Sequence, residues 1–315
     1  YLGALVPCDH DEVPDLEHWL RWLCELGRPV VWLDRRERGL RSPIQSRTFH
    51  RFHADSFAGA EAIVTAFHTA GHRHIGIPRF RSHVYMDSFI DDMRRAGAAL
   101  SPPLKVTVAL EERATMDSLP DGISAHQALG HLQRTAVPVV RKTLTEIMGR
   151  HPGLFDEGRR APLSWRQLWR GTWYTHLREF QIVWLSGLLV PLLRIPTITG
   201  LVCPGNKNTR FWFWWCDAAG VVVPRDISLI SVDNSYDFHP WPMSSIDLGY
   251  DYLGYAAVHV FVGDIPVRLG KDRTVTGAVR FLDRGSLGPP RTTPLRADLR
   301  GELGVFEPAH VCDFR

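Results

Sequence analysis

At 315 residues the chain is long enough for two core-bearing lobes. Its 44% hydrophobic and 23% charged residues are ordinary for a globular protein, and a formal charge of +3 gives no case for a nucleic-acid groove within these residues. The apolar run LSGLLVPLL at 185–193 is too short to span a bilayer and contains Pro191.

In chain order, residues 1–6 read as a strand. Leu16, Trp19, Leu20 and Leu23 then recur at helical spacing, and Gly27 supplies a stop. PVVWL at 29–33 is a second strand ending at Asp34 and Arg35, and 36–47 is an Arg-rich loop. A short strand at 48–53 precedes a helix capped by Asp55 or Ser56, with Ala60, Ile63, Val64 and Phe67 on its apolar stripe and Gly71 after it. His74 to Ile77 is a strand broken by Pro78. The next helix has Met86, Phe89, Ile90 and Met93 on one face and Gly97 after it, and residues 104–110 form a strand. This alternation predicts an α/β protein with a mainly parallel sheet.

Residues 111–176 break the rhythm with Pro, Gly and Arg clusters and a Trp-rich patch at 165–173. A helix over 177–194 restores it, followed by a strand at 198–203, a helix at 207–219 and a strand at 227–232. Residues 234–247, with Pro240 and Pro242, read as a loop. A helix at 251–262, a strand at 275–283 and a Pro- and Arg-rich tail complete the chain. The run FWFWW at 211–215 points all round its helix and reads first as packing. The five cysteines are odd in number and form no CxxC, the pattern of free thiols in a reducing cytoplasm.

The stretch AAGVVVPRDISLISVDNS at 218–235 carries the clearest grammar. Gly220 ends a helix, Pro224 forbids its resumption, and the apolar strand ISLISV stops at Asp233 and Asn234. In an open parallel sheet, ligands sit beyond the carboxyl ends of strands, so Asp233 is the first ligand-contact candidate. No GxSxG, HExxH, P-loop or GxGxxG motif is present, and Glu111, Glu112, Asp117, His126 and His131 show no mechanistic spacing, so an enzyme is not expected. Cys8, His10 and Asp11, or His72 and His74, lack a second half with ligand spacing. Neither a metal nor a cofactor is expected.

Six stretches together resemble the effector-binding domain of the lactose-repressor and galactose-repressor (LacI/GalR) family of transcription regulators. They are GRPVVWLDR (27–35), DSFAGAEAIVTAFHTAGHRHIGI (55–77), ITGLVCPGN (198–206), AAGVVVPRDISLISVDN (218–234), SSIDLGYDYLGYAAV (244–258) and DRGSLGPP (283–290). The resemblance covers a little over half the chain and implies a periplasmic-binding-protein-like type I fold, with two doubly wound parallel-sheet lobes joined by three crossing strands. It places one lobe at 1–78 plus 249–276 and the other at 79–246 plus 277–291. Residues 111–176 are an insertion and 292–315 a surface tail. The family's helix-turn-helix head and first strand–helix unit have no counterpart in these residues.

The resemblance also implies a ligand-binding set of Asp55, Asn206 and Asp233, with Tyr85 where the family has an Arg that forks onto sugar hydroxyls. A carboxylate accepts two hydroxyl hydrogen bonds and an amide both donates and accepts, which suits a sugar. Asp55 serves equally as a helix N-cap, Asn206 as a turn residue, and Asp233 as a partner of its own loop. The implied function is the ligand-sensing and dimerisation core of a bacterial repressor. It would be cytoplasmic and homodimeric, would bind a sugar or related metabolite, and would reach operator DNA only through a head outside these residues. The alternative is a periplasmic solute-binding protein of a sugar transporter.

Overall fold

The computed structural model describes residues 2–7, 13, 15–34, 40–79, 86–110, 145, 149, 178–204, 209–234, 242–270, 272–295 and 311–312. Among them, two sheets organise the chain. The first lobe is a parallel sheet in the order β1 (Ala4–Val6), β2 (Val30–Leu33), β3 (Phe49–His53) and β9 (Thr274–Thr276). Successive strand residues point to opposite faces. Val30, Trp32 and Phe49 therefore pack with Leu16 and Leu20 of α1 (Leu16–Glu25). Val31, Phe52 and Val275 pack with Leu253, Ala256 and Ala257 of α6 (Tyr250–Val262).

The second sheet has the order β10 (Arg280–Leu282), β8 (Ser244–Asp247), β7 (Ser228–Val232), β6 (Gly200–Cys203), β4 (His74–Arg79), β5 (Lys105–Leu110) and β11 (Val311–Cys312). Its five inner strands are parallel and its outer two antiparallel. On one face, Ile63 and Phe67 of α2 (Ser56–Thr69) and Phe89 and Met93 of α3 (Met86–Ala99) meet Ile75, Ile77, Ile230 and Ile246. The other face carries α4 (Arg178–Leu193) and α5 (Thr209–Ala219). Trp212 and Trp215 of α5 are fully buried, and Trp215 Nε1 donates to Ser186 Oγ at 2.8 Å. The aromatic run therefore serves the core at Phe211, Trp212 and Trp215, while Phe213 and Trp214 are half-buried.

Several sequence expectations are corrected. His74–Arg79 belongs to the second sheet, and α2 packs on α3, β8 and β10, so the first crossing falls at Ala54–Asp55 rather than at 78–79. The strand continues through Pro78. β4 pairs with β6 only at Ile75 and Gly76, so the Pro sits where the strand is paired on the β5 side alone. Gly97 lies inside α3, where a Cβ would come within 2.4 Å of Leu104 O. Within the expected loop 234–247, Ser244–Asp247 is a strand. The single strand expected at 275–283 is two, β9 and β10, one in each sheet. In the tail, Val311–Cys312 extends the second sheet beside β5. The insertion 111–176 lies almost entirely outside the described residues.

Three connections join the lobes, at Ala54–Asp55, Leu248–Gly249 and Gly277–Val279. They are in backbone contact. Gly277 N donates to His53 O at 3.0 Å, and a Cβ on Gly277 would lie 2.3 Å from Leu248 O. Gly249 has φ +74°, and a Cβ there would lie 2.7 Å from Ala278 N. Gly277→Ala is expected to force these chains apart and cost about 1–3 kcal/mol, read as a lowered urea midpoint.

At the amino-terminal end of the first sheet, His50 is buried on β3. The Arg273 guanidinium can only donate, and does so to His50 Nε2 at 3.3 Å. Nδ1 is then the protonated nitrogen, buried without a partner. Burial, aided by the Arg273 charge, pushes the His50 pKa down to about 4. The unfolded chain binds this proton near pH 6.5 and the folded one does not, so the contribution is complete above about pH 6.5 and is lost as pH falls towards 4. Stability is expected to drop by about 2 kcal/mol between pH 7 and 5 through this residue. Urea titrations at the two pH values should show a smaller drop in His50→Asn.

Candidate functional site

β3, β8 and β9 all leave their sheets at the carboxyl end, directly into the crossings. The carboxyl edges of the two sheets therefore meet at the hinge. In the second sheet, the chain builds outward from β4 to β5 in one direction and from β6 through β7 to β8 in the other. The order reverses between β4 and β6. In open α/β sheets, ligands bind at such a switch point, outside the carboxyl ends of the strands.

Asp233 follows β7 on this edge. It is half-buried and has φ +71°, a left-handed conformation that costs most side chains about 1–2 kcal/mol and that Asp tolerates better. The next residue fixes the turn: Asn234 Oδ1 accepts from Arg284 Nη2. Arg284 Nη1 donates to Met243 O at 3.1 Å, and Arg284 N donates to Ser244 Oγ at 3.0 Å. Ser244 Oγ in turn donates to Asp283 Oδ1 at 2.9 Å. The loop that begins at Asp233 is thereby tied to the strand that emerges from the third crossing.

Asp55 lies at the first crossing, at the carboxyl end of β3. Its Oδ1 accepts from Ala58 N at 2.8 Å, so it caps α2. Such a cap is worth about 1 kcal/mol. Asn206 and Tyr85 follow β6 and β4 in sequence, the two strands that flank the switch point, and both lie outside the described residues.

The sequence reading missed one pair on the first lobe's carboxyl edge. Asp34, at the end of β2, is 1% exposed and accepts from Arg51 Nε and Nη2 at 2.9 and 2.6 Å. The Arg51 guanidinium lies 5.9 Å from the Trp32 ring centroid. A buried carboxylate of this kind depends on its partner; removing one member of such a pair costs about 3–5 kcal/mol. The available signal was Asp34 at a strand end and Arg51 breaking the alternation of FHRFH.

His72 and His74 have other tasks. His72 contacts Thr199 Oγ1 at 2.7 Å and Gly288 O at 2.9 Å, and burial lowers its pKa. His74 contacts Thr197 Oγ1 and Thr107 Oγ1, each at 2.7 Å. Among the described residues no group of three or more His, Cys, Asp or Glu could hold a metal ion, and no helix is long and apolar enough to cross a membrane.

Residues 147–287 match the family model described as "Periplasmic binding protein-like domain". No curated protein matches the chain. Among solved structures, the chain is similar to a LacI family transcriptional regulator from Enterococcus faecium with bound ribose. That likeness has 14% identity over 92% of this chain and 81% of that one, at a TM-score of 0.49. It is similar to a PurR family transcriptional regulator from Vibrio parahaemolyticus, with 13% identity over 90% and 77% and a TM-score of 0.47. A LacI family transcriptional regulator from an Arthrobacter species in complex with lactose gives 14% identity over 82% and 70%, with a TM-score of 0.42. The family model covers less than half of the chain, and the two parallel-sheet lobes joined by three crossings agree with the periplasmic-binding-protein-like fold that the sequence resemblance implies.

Proposed function

We propose that this chain is the ligand-sensing and dimerisation core of a bacterial transcription regulator, holding a sugar or related small metabolite between its lobes. The observation that carries the reading is the tether from Asp233 through Asn234 and Arg284 to the third crossing. A hydroxylated ligand drawn to Asp233 would act on the strand that joins the lobes. The chemistry suits recognition rather than catalysis. Asp233, Asn206 and Asp55 supply acceptors for hydroxyl groups, and Tyr85 supplies a ring face. An unmatched polar group in such a cleft costs about 1–3 kcal/mol, which discriminates between ligands. Operator contact belongs to a head outside these 315 residues, and the site of action is the cytoplasm, in keeping with free thiols at Cys24, Cys203 and Cys216. Ligand-linked movement of the lobes would alter the spacing of paired heads, a coupling of about 1–3 kcal/mol.

A thermal-shift screen of pentoses, hexoses, disaccharides, sugar acids and sugar phosphates tests the reading, with ribose and lactose first. A ligand at one hundred times its Kd stabilises by about 2.7 kcal/mol, several degrees for a chain of this size. Asp233→Asn keeps a residue that tolerates positive φ and removes the carboxylate. It is expected to abolish the shift and leave the ligand-free melting temperature nearly unchanged. A large ligand-free loss with the shift intact would make Asp233 structural, and no shift from any compound would sink the sensor reading.

A further inference from the structure

Three unfavourable features coincide where β9 begins. Arg273 has φ +55°, a left-handed conformation that side chains other than Gly seldom adopt. It closes a tight turn in which Gly270 N donates to Thr274 O at 2.8 Å and Arg273 N donates to Gly270 O at 3.1 Å. The left-handed position of such a turn ordinarily goes to Gly. Arg273 Nε is buried with no hydrogen-bond partner, and so is Nδ1 of the neighbouring His50, a residue only 4% exposed. Strained backbone and unmet buried polar groups gather where a ligand is held.

The unmet edge of Arg273 is the one by which Arg grips an oxyanion. Arg51 forks onto the Asp34 carboxylate through Nε and Nη2. On Arg273 the same edge carries only His50 Nε2, on Nη2 at 3.3 Å. Among the described residues no carboxylate forms an ion pair with Arg273. Nor does an acid act on His50, whose pKa is lowered by burial and then by the Arg273 charge. The place therefore offers buried N–H donors and a positive charge without an acceptor. A water molecule would satisfy a donor but leave the charge unmatched. We propose that the Nε–Nη2 edge of Arg273, with His50 beside it, binds a small oxyanion of the phosphate type. The site lies between β3 and β9, on the far side of the first sheet from β1. Both strands run from it into the crossings: His53 is three residues beyond His50, and Thr276 three beyond Arg273. A bound oxyanion would hold together the two strands that feed the hinge. The proposal stands apart from the regulator reading.

Thermal unfolding of the full chain tests it, in sodium chloride, sodium phosphate and glycerol 3-phosphate at matched ionic strength. Phosphate at several times its Kd is expected to raise the melting temperature by about 2 °C over chloride, saturably, and to move the His50 ring resonances in NMR spectra. A larger shift with glycerol 3-phosphate identifies the phosphate group of a metabolite as the occupant and an equal one the free ion; either supports the site. Arg273→Gly is expected to abolish the shift and to melt no lower than the wild type in chloride, because Gly takes φ +55° without strain. A phosphate shift no greater than that of chloride overturns the proposal, as does a shift that survives Arg273→Gly or leaves the His50 resonances unmoved. Asp233→Asn is expected to keep the phosphate shift; its loss there would place the anion at the sugar position and overturn the proposal. The sugar screen is read separately, so a sensor without this site, or this site without a sensor, is recognisable.

Discussion

The contact on which the rest of the structure depends is between backbones. Gly277 passes so close to Leu248 that its Cα hydrogen occupies the only space available, and Gly277 N donates to His53 O. Three chain segments from distant parts of the sequence are thereby held side by side. Each leaves the carboxyl end of a strand, so the constraint also sets which edges of the two sheets confront one another. A cleft between carboxyl edges is where a parallel-sheet protein presents loops rather than helix ends of fixed packing. The hinge and the candidate site thus share one cause.

The third crossing is anchored on its far side. Ser286 Oγ donates to Leu229 O, Leu229 N donates to Ser286 O at 2.8 Å, and Ser244 N donates to Ser286 Oγ at 2.7 Å. Further along, Gly288 O accepts from His72 Nε2 and from Ser228 Oγ, and Gly288 N donates back to Ser228 Oγ at 3.0 Å. These hydroxyls are buried, where an unpaired polar group would cost about 1–3 kcal/mol, so the set holds as a unit. Since Gly288 O only accepts, His72 Nε2 carries the proton; burial favours the neutral ring, whose Nδ1 then accepts from Thr199 Oγ1.

The sequence made element types legible and lobe membership less so. Gly27 and Gly220 stand past their helices with φ +69° and +66°, and Asp55 caps α2 as its position before an apolar stripe suggested. The strand ending at Asp233 is where ISLISVDN placed it. Periodicity reports which face of a strand is buried but not which sheet it joins, so His74–Arg79 was assignable to either lobe until its neighbours β5 and β6 were seen. The same limit hid the division of 275–283, because a strand that changes sheets at Gly277–Val279 keeps its alternation on both sides. Asp34 and Arg51 each stood out in the sequence, but their pairing and the Arg284 tether did not, because they join residues 17 and 50 positions apart. Of the four candidate ligand residues, the described structure places Asp55 and Asp233.

The anchoring of the third crossing limits how the lobes can move. From Ser286 to Gly288 the chain is fixed to β7 and to His72, and β10 is paired in register to β8 from Arg280 to Leu282. Sliding along the strand would break these bonds together. On the other side, β9 is in register with β3 from Arg51 to His53. Freedom remains in the short segment Gly277–Val279 and at Leu248–Gly249 and Ala54–Asp55. Rotation about these few residues is therefore the motion the fold permits, a hinge rather than a shear. Arg284 lies five residues after Val279, the end of that segment, and reaches back to Asn234, so the turn at Asp233 moves with the second lobe. A ligand held there and by the first lobe at once would set the hinge angle.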